Sequence, residues 1–335
     1  MIHSPYIRKP ASVQSVMLAV LLALLPGVTA YVMQVAAVVV VNLLIATVTA
    51  LVAEALILTL RKRPIAPALS DLSAVVTAWL VVLCFPPILP WWVTVLGVLI
   101  AIIAVKHLYG GLGQNPFNPA MVAYCAMIVA FPSLMSQWPP AGQIDFQTQL
   151  DLVLGGARQL DAITGATALD AMRTGLRTSG ASVESVLQQS GTFGAVGGRG
   201  WEWLALGYLA GGLFMLARRI ITWHMPVAFI ATLAVVSGIF WLAEPAHFAP
   251  PLFHLASGGA MLAAFFIVTD PVSGATTPRG KLIFAAGIAV IAYLIRVFGA
   301  FPEGIAFAVL LMNLCVPLID MKTQPAVFGH RGSRP

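Results

Sequence analysis

The chain has 335 residues, 59% of them hydrophobic and only 9% charged, with a net charge of +6. Soluble domains carry roughly a quarter charged residues, so this composition excludes an ordinary soluble enzyme and points to an integral membrane protein. The positive balance does not imply a nucleic-acid partner, because the lysines and arginines sit in short clusters between apolar runs.

A membrane-crossing helix needs about 20 apolar residues, and about ten candidate stretches follow one another. The first two, 13–33 and 35–60, end at Arg61-Lys62-Arg63-Pro64. His3, Arg8 and Lys9 precede the first, and no small-residue cleavage site stands out, so it reads as a retained span. The third, 69–85, closes at Pro86-Pro87. The fourth, 91–105, runs into Lys106-His107 and a glycine-rich stretch with two Asn-Pro steps, 110–119. The fifth, 120–131, precedes the one long polar interval, 133–200. The sixth, 201–216, stops at Arg218-Arg219. The seventh and eighth are 226–242 and 252–268. The ninth, 282–298, and the tenth, 305–319, lead to a short basic tail.

Basic residues mark the cytoplasmic side of membrane proteins. With the N-terminus inside, Arg61–Arg63, Lys106, Arg218, Arg219, Arg279, Lys281 and the tail all fall on the cytoplasmic face. The sequence therefore predicts an all-α polytopic protein. Crossings 1–5 occupy 1–132 and crossings 6–10 occupy 201–320, the two halves being inverted relative to each other. An outer subdomain fills 133–200, and 321–335 forms an inner tail. Such a polar interval exceeds the length of a plain connector.

The pattern Asp-x-x-(Ser/Thr)-Gly-Ala-Thr occurs twice, at 161–167 and 270–276. Crossing parity puts the first copy outside and the second inside. Gly165 and Ala166 leave the backbone uncovered, so the Thr167 hydroxyl is an accessible point for a covalent ester. The same residues also read as a turn, with Thr164 or Thr167 capping a helix from Ala168. Arg158, Arg173 and Arg177 could pair with a phosphate near Thr167, or form a solvated face. The pattern leaves both pairs of readings open.

Irregular backbone at membrane depth is tolerated only inside protein or along a cavity. The segments 110–119 and 270–280 thus form either a pocket for a ring-shaped ligand or a pair of packed turns. Glu54, Asp71, Lys106 and Asp270 are the ionisable residues noted at span edges, where charge often marks an ion or proton path. Alternatively Glu54 snorkels towards Arg61 and the others are hydrated. Cys84, Cys125 and Cys315 have no paired spacing, and the histidines form no ligand pair, so neither disulfides nor a metal site is expected.

Gly110–Ala120, Asp161–Thr167 and Thr269–Ser273, in that order, closely resemble the NqrB/RnfD family. Its members are membrane subunits of the sodium-pumping NADH:quinone reductase and of the Rnf ion-translocating oxidoreductase. The length resembles the Rnf D branch, since NqrB-type subunits carry a longer N-terminal extension. The resemblance implies a bacterial inner-membrane subunit with FMN joined through its phosphate to Thr167 by a periplasmic flavin transferase. Asp161, Thr164, Gly165 and Ala166 would form the attachment motif, although Ala162 replaces a common glycine and Thr164 a common serine. It also implies a non-covalent flavin, riboflavin, for which Asn115, Phe117, Asn118 and Thr269 are candidates. Glu54, Asp71 and Asp270 are candidates for an ion path.

The implied activity is electron transfer between ferredoxin and NAD, coupled to Na+ or H+ movement. The chain has no iron–sulfur cysteine cluster and no nucleotide-binding glycine turn, so those sites fall to partner subunits. The alternatives are an NqrB-type subunit and a solute transporter without redox chemistry, resembling urea channels.

Overall fold

A computed structural model of the chain describes residues 12–155, 164–178, 180–189 and 191–325. Among the described residues all extended regular structure is helical, with isolated bridges only between Trp138 and Gly165 and between Phe193 and Gly198. Among the described residues, five helices are long and apolar enough to span a bilayer, and four shorter apolar helices accompany them.

The first two crossings are α1 (Val13–Gln34) and α2 (Val39–Leu60). The third is broken into α3 (Ile65–Ser70) and α4 (Ser73–Cys84), joined through Leu72 in the left-handed region at φ 64°. The fourth, α5 (Trp91–Leu99), widens into a π-helical stretch, Ile100–His107. The fifth, α6 (Pro119–Ala130), starts at Asn118, whose side-chain oxygen accepts from the Ala120 and Met121 N–H groups. Among the described residues of the polar interval are four short helices: α7 (Pro132–Met135), α8 (Phe146–Leu154), α9 (Ala168–Thr178) and α10 (Val183–Gln189).

The second half repeats this plan. The sixth and seventh crossings are α11 (Trp201–Ala217) and α12 (His224–Ala243). The eighth is again broken, into α13 (Pro251–Ala256) and α14 (Ala260–Leu262), the latter running into a π-helical stretch, Ala263–Ile267. Gly258 makes the break at φ 64°. Two long helices, α15 (Pro278–Phe298) and α16 (Ile305–Thr323), finish the bundle.

The sequence leads one to expect continuous third and eighth spans; the structure breaks both. The physical reason is a single left-handed residue in each: Leu72 hides inside an apolar run, whereas Gly258 lies in a Ser-Gly-Gly step.

Contacts at the ends fix the order of crossings. One end gathers Thr167, the close of α4, the start of α11 and the α15–α16 turn around a common cavity. At the other end Arg61 donates to the His107 carbonyl, and Thr276 is bonded to Asp320. The two breaks lie at opposite ends: Ser73 borders the cavity at the Lys106 end, and Gly258 borders the Thr167 cavity. The halves therefore run in opposite senses. Arg61, Lys106 and Lys281 all sit at the end away from Thr167.

The halves are joined by α1 packing closely against α11. Small residues permit this, as they do between helices in lipid. A Cβ on Gly211 would overlap the Ala23 carbonyl oxygen, and one on Gly27 would overlap the Tyr208 ring. Gly211→Val should accordingly abolish monodisperse protein on size exclusion in detergent. Gly238→Ala, whose Cβ would sit 3.5 Å from the Pro251 ring, should leave the profile unchanged.

Candidate functional site

Thr167 is the residue immediately before α9 and caps it: its hydroxyl oxygen accepts from the Asp170 N–H at 3.3 Å, and its carbonyl accepts from Ala171 at 2.8 Å. Two residues upstream, Gly165 N–H donates to the Trp138 carbonyl at 2.9 Å, which pins the motif to the segment after α7. Gly165 and Ala166 are exposed, and Thr164 and Thr167 are half-buried. Asp161 and Arg158 lie outside the described residues.

Thr167 opens onto a cavity of about 370 Å³. Flat rings line part of it, Trp138, Trp201, Tyr124 and Phe301, and the apolar floor includes Leu83, Met121 and Leu262. Arg173 also borders it, held by Asp170 at 2.8 Å and by the Ala300 carbonyl. Arg177 donates instead to the carbonyls of Gly299 and Val297, at 3.1 and 2.6 Å. It therefore caps the end of α15 and docks α9 there; of Arg173 and Arg177, the two described arginines the sequence suggested, Arg173 faces the cavity.

Beneath this cavity lies Arg296, 3% exposed. Its Nε and Nη2 donate to the two Glu303 oxygens at 3.0 and 2.9 Å, and Nη1 donates to the His254 carbonyl at 2.8 Å. Glu303 further accepts from the Gly259 and Gly304 N–H groups. One ion pair thus satisfies the orphaned backbone of the eighth-crossing break and the α15–α16 turn.

The opposite end holds a second cavity of about 420 Å³. Asn115, Asn118, Thr269 and Asp270 line it together with Ser73, Lys106 and Phe266. The side chain of Phe117 does not join that lining; its carbonyl accepts from Asn115 Nδ2 at 3.0 Å. Asn118 is committed as a helix cap, its N–H donating to Asn313. Thr269, in the turn after the π-helical stretch, donates back to the Phe265 carbonyl at 2.6 Å.

Glu54, 2% exposed, does not snorkel. Lys106 Nζ donates to its Oε1 at 2.7 Å and to Ser73 Oγ at 2.8 Å, and His107 Nε2 lies 3.3 Å from the same carboxylate oxygen. Arg61, the expected snorkelling partner, reaches the His107 carbonyl instead. Lys106, read as hydrated, is 3% exposed. Asp71 accepts from the N–H and hydroxyl of Ser73, holding the left-handed turn at Leu72. Asp270 accepts from Ser273 Oγ at 2.6 Å and from Val272 N–H.

The two motif copies differ in the hydrogen bond their last threonine makes. Thr276 Oγ1 donates to Asp320 at 2.8 Å, and its N–H is bonded to the same carboxylate. The oxygen of Thr167 acts as an acceptor in its cap.

Over residues 1–329 the chain matches the NQR2, RnfD, RnfE family. The protein belongs to this family. It is 46% identical over 344 aligned positions to the D subunit of the ion-translocating oxidoreductase complex of Yersinia enterocolitica serotype O:8 / biotype 1B. It is 46% identical to the same-named protein of Erwinia tasmaniensis, over 348 positions, and 45% identical to that of Salmonella paratyphi A. Each alignment covers 98% of this chain and 97% of the relative.

Neither the aromatic walls of the first cavity nor the Arg296–Glu303 pair follows from the pattern of apolar runs. A guanidinium inside the ninth apolar run was itself a signal, whereas the position of Trp138 depends on a long-range backbone bond. At the other end, Lys106→Met leaves the Glu54 carboxylate buried without its cation. This should cost about 3 kcal/mol or more, visible as a lower melting temperature in detergent. Adding Glu54→Gln should recover much of the loss.

Proposed function

We propose that this chain is the D-type membrane component of an Rnf-type complex, carrying FMN esterified through its phosphate to Thr167. The observation that carries the reading is the local chemistry of the threonine. Esterification removes the hydroxyl proton, and Thr167 uses its oxygen as an acceptor, so its cap bond does not depend on that proton. Thr276 donates its proton to Asp320. A phosphate there would lose that bond and sit against a carboxylate.

The residues present fit the group. A phosphate on Thr167 would lie at the N-terminus of α9, where N–H groups and the helix dipole favour anions, with Arg173 on the same cavity wall. The ring system would meet Trp138, Trp201 and Phe301. Asp161, Thr164, Gly165 and Ala166 would be what the transferase reads, and the exposed Gly165 and Ala166 leave it room. When bound, FMN exchanges one or two electrons, and the protein supplies position and tuning.

In this reading Thr167 faces the periplasm and the basic end faces the cytoplasm, following the distribution of lysine and arginine. The protein transfers electrons within a complex that couples ferredoxin and NAD to Na+ or H+ movement. The second cavity takes riboflavin, with Asn115 and Thr269 on its wall, and the buried Glu54 together with Asp270 serves the ion path. Partner subunits supply the ferredoxin and NAD sites.

Peptide mass spectrometry on protein from a host containing the flavin transferase tests the attachment. An FMN-sized adduct should be present in the wild type and in Thr276→Ala, and absent from Thr167→Ala. An adduct lost only in Thr276→Ala, or no covalent flavin from a competent host, would sink the proposal. The second result would favour a solute channel.

A further inference from the structure

The two cavities lie at opposite ends of the bundle, and a line of aromatic rings runs between them. It begins at the attachment motif, where Gly165 is bonded to the backbone of Trp138. Trp138 packs edge-on against Trp201 with centroids 5.4 Å apart, and Trp201 packs against Tyr31 at 6.1 Å. The ring of Tyr208, two turns along α11 from Trp201, lies against Gly27, one turn along α1 from Tyr31. Tyr208 then meets Phe266 at 6.0 Å. Trp138 and Trp201 line the Thr167 cavity, and Phe266 lines the opposite one.

We propose that these five rings are the electron bridge between a flavin on Thr167 and a flavin in the Asn115–Thr269 cavity; this rests on the function proposed above. One electron leaves the reduced isoalloxazine at one end and enters the oxidised isoalloxazine at the other, so donor loss and acceptor gain balance. The rings mediate the transfer without being oxidised. Both tyrosine hydroxyls are buried with no hydrogen-bond partner among the described residues. Oxidation of either ring would expel a proton with nowhere local to go, or leave an uncompensated buried charge.

The test uses the intact complex purified from its own membrane. Flavin content is measured first. Wild-type complex lacking either the covalent or the non-covalent flavin overturns the underlying reading and the bridge with it. With both present, interflavin electron transfer is followed by rapid-mixing absorbance after a reductant pulse. Trp201→Leu and Tyr208→Leu should each slow it about tenfold or more, with flavin content and midpoint potentials unchanged. Tyr208→Phe, which keeps the ring, should stay near the wild-type rate. Should Tyr208→Leu fail to assemble, Phe266→Leu at the far end of the line carries the same expectation. Wild-type transfer rates in the leucine variants, or equal slowing by Tyr208→Phe, would overturn the proposal.

Discussion

The Arg296–Glu303 pair satisfies backbone groups that a continuous helix would never leave open. Breaking the eighth crossing at Gly258 strands donors and acceptors in a largely apolar bundle, where they need protein partners. The guanidinium takes the His254 carbonyl and both carboxylate oxygens, and the carboxylate takes the Gly259 amide. The cavity beside Thr167 exists because that break is stabilised. At the other end the break at Leu72 has its own buried pair, Lys106 with Glu54, tied to Ser73. Buried pairs are weak evidence for net stability, but removing one partner is costly. Each pair therefore holds open one mouth of the bundle.

From this follows the division of labour between the two motif copies. Identical spacing gives each a small-residue turn ending in threonine, yet the surroundings differ. Thr167 stands at the start of a helix, beside a guanidinium and a cavity walled by flat rings. Thr276 is bound to a carboxylate from α16. An anionic ester suits the first environment and not the second.

Much of the fold was legible in the sequence because run length alone marks a membrane crossing. The starts and stops of α1, α11 and α15 lie close to the apolar boundaries. The breaks were less visible. Leu72 hides a left-handed turn behind an apolar side chain, whereas Ser257-Gly258-Gly259 was a readable interruption. The snorkelling alternative for Glu54 fails because its partner, Lys106, lies 52 residues away, whereas local spacing points to Arg61. Phe117 belongs to a legible motif but turns its carbonyl, not its ring, to that motif's bonding. The turn into α9 was legible, with Thr167 as its cap, and Asp161 falls outside the described residues. The walls of its cavity were not, since they come from the segment after α7, α11 and the α15–α16 turn.

The central proposal is that the Thr167 end faces the periplasm and the basic end the cytoplasm. Side-specific labelling tests it most directly, using single cysteines at Ser182 and Arg279 in a background without Cys84, Cys125 and Cys315. On intact spheroplasts, a membrane-impermeant maleimide should label Ser182→Cys at once. It should label Arg279→Cys only after permeabilisation. The reverse pattern would contradict the account, and so would equal labelling of both positions before permeabilisation.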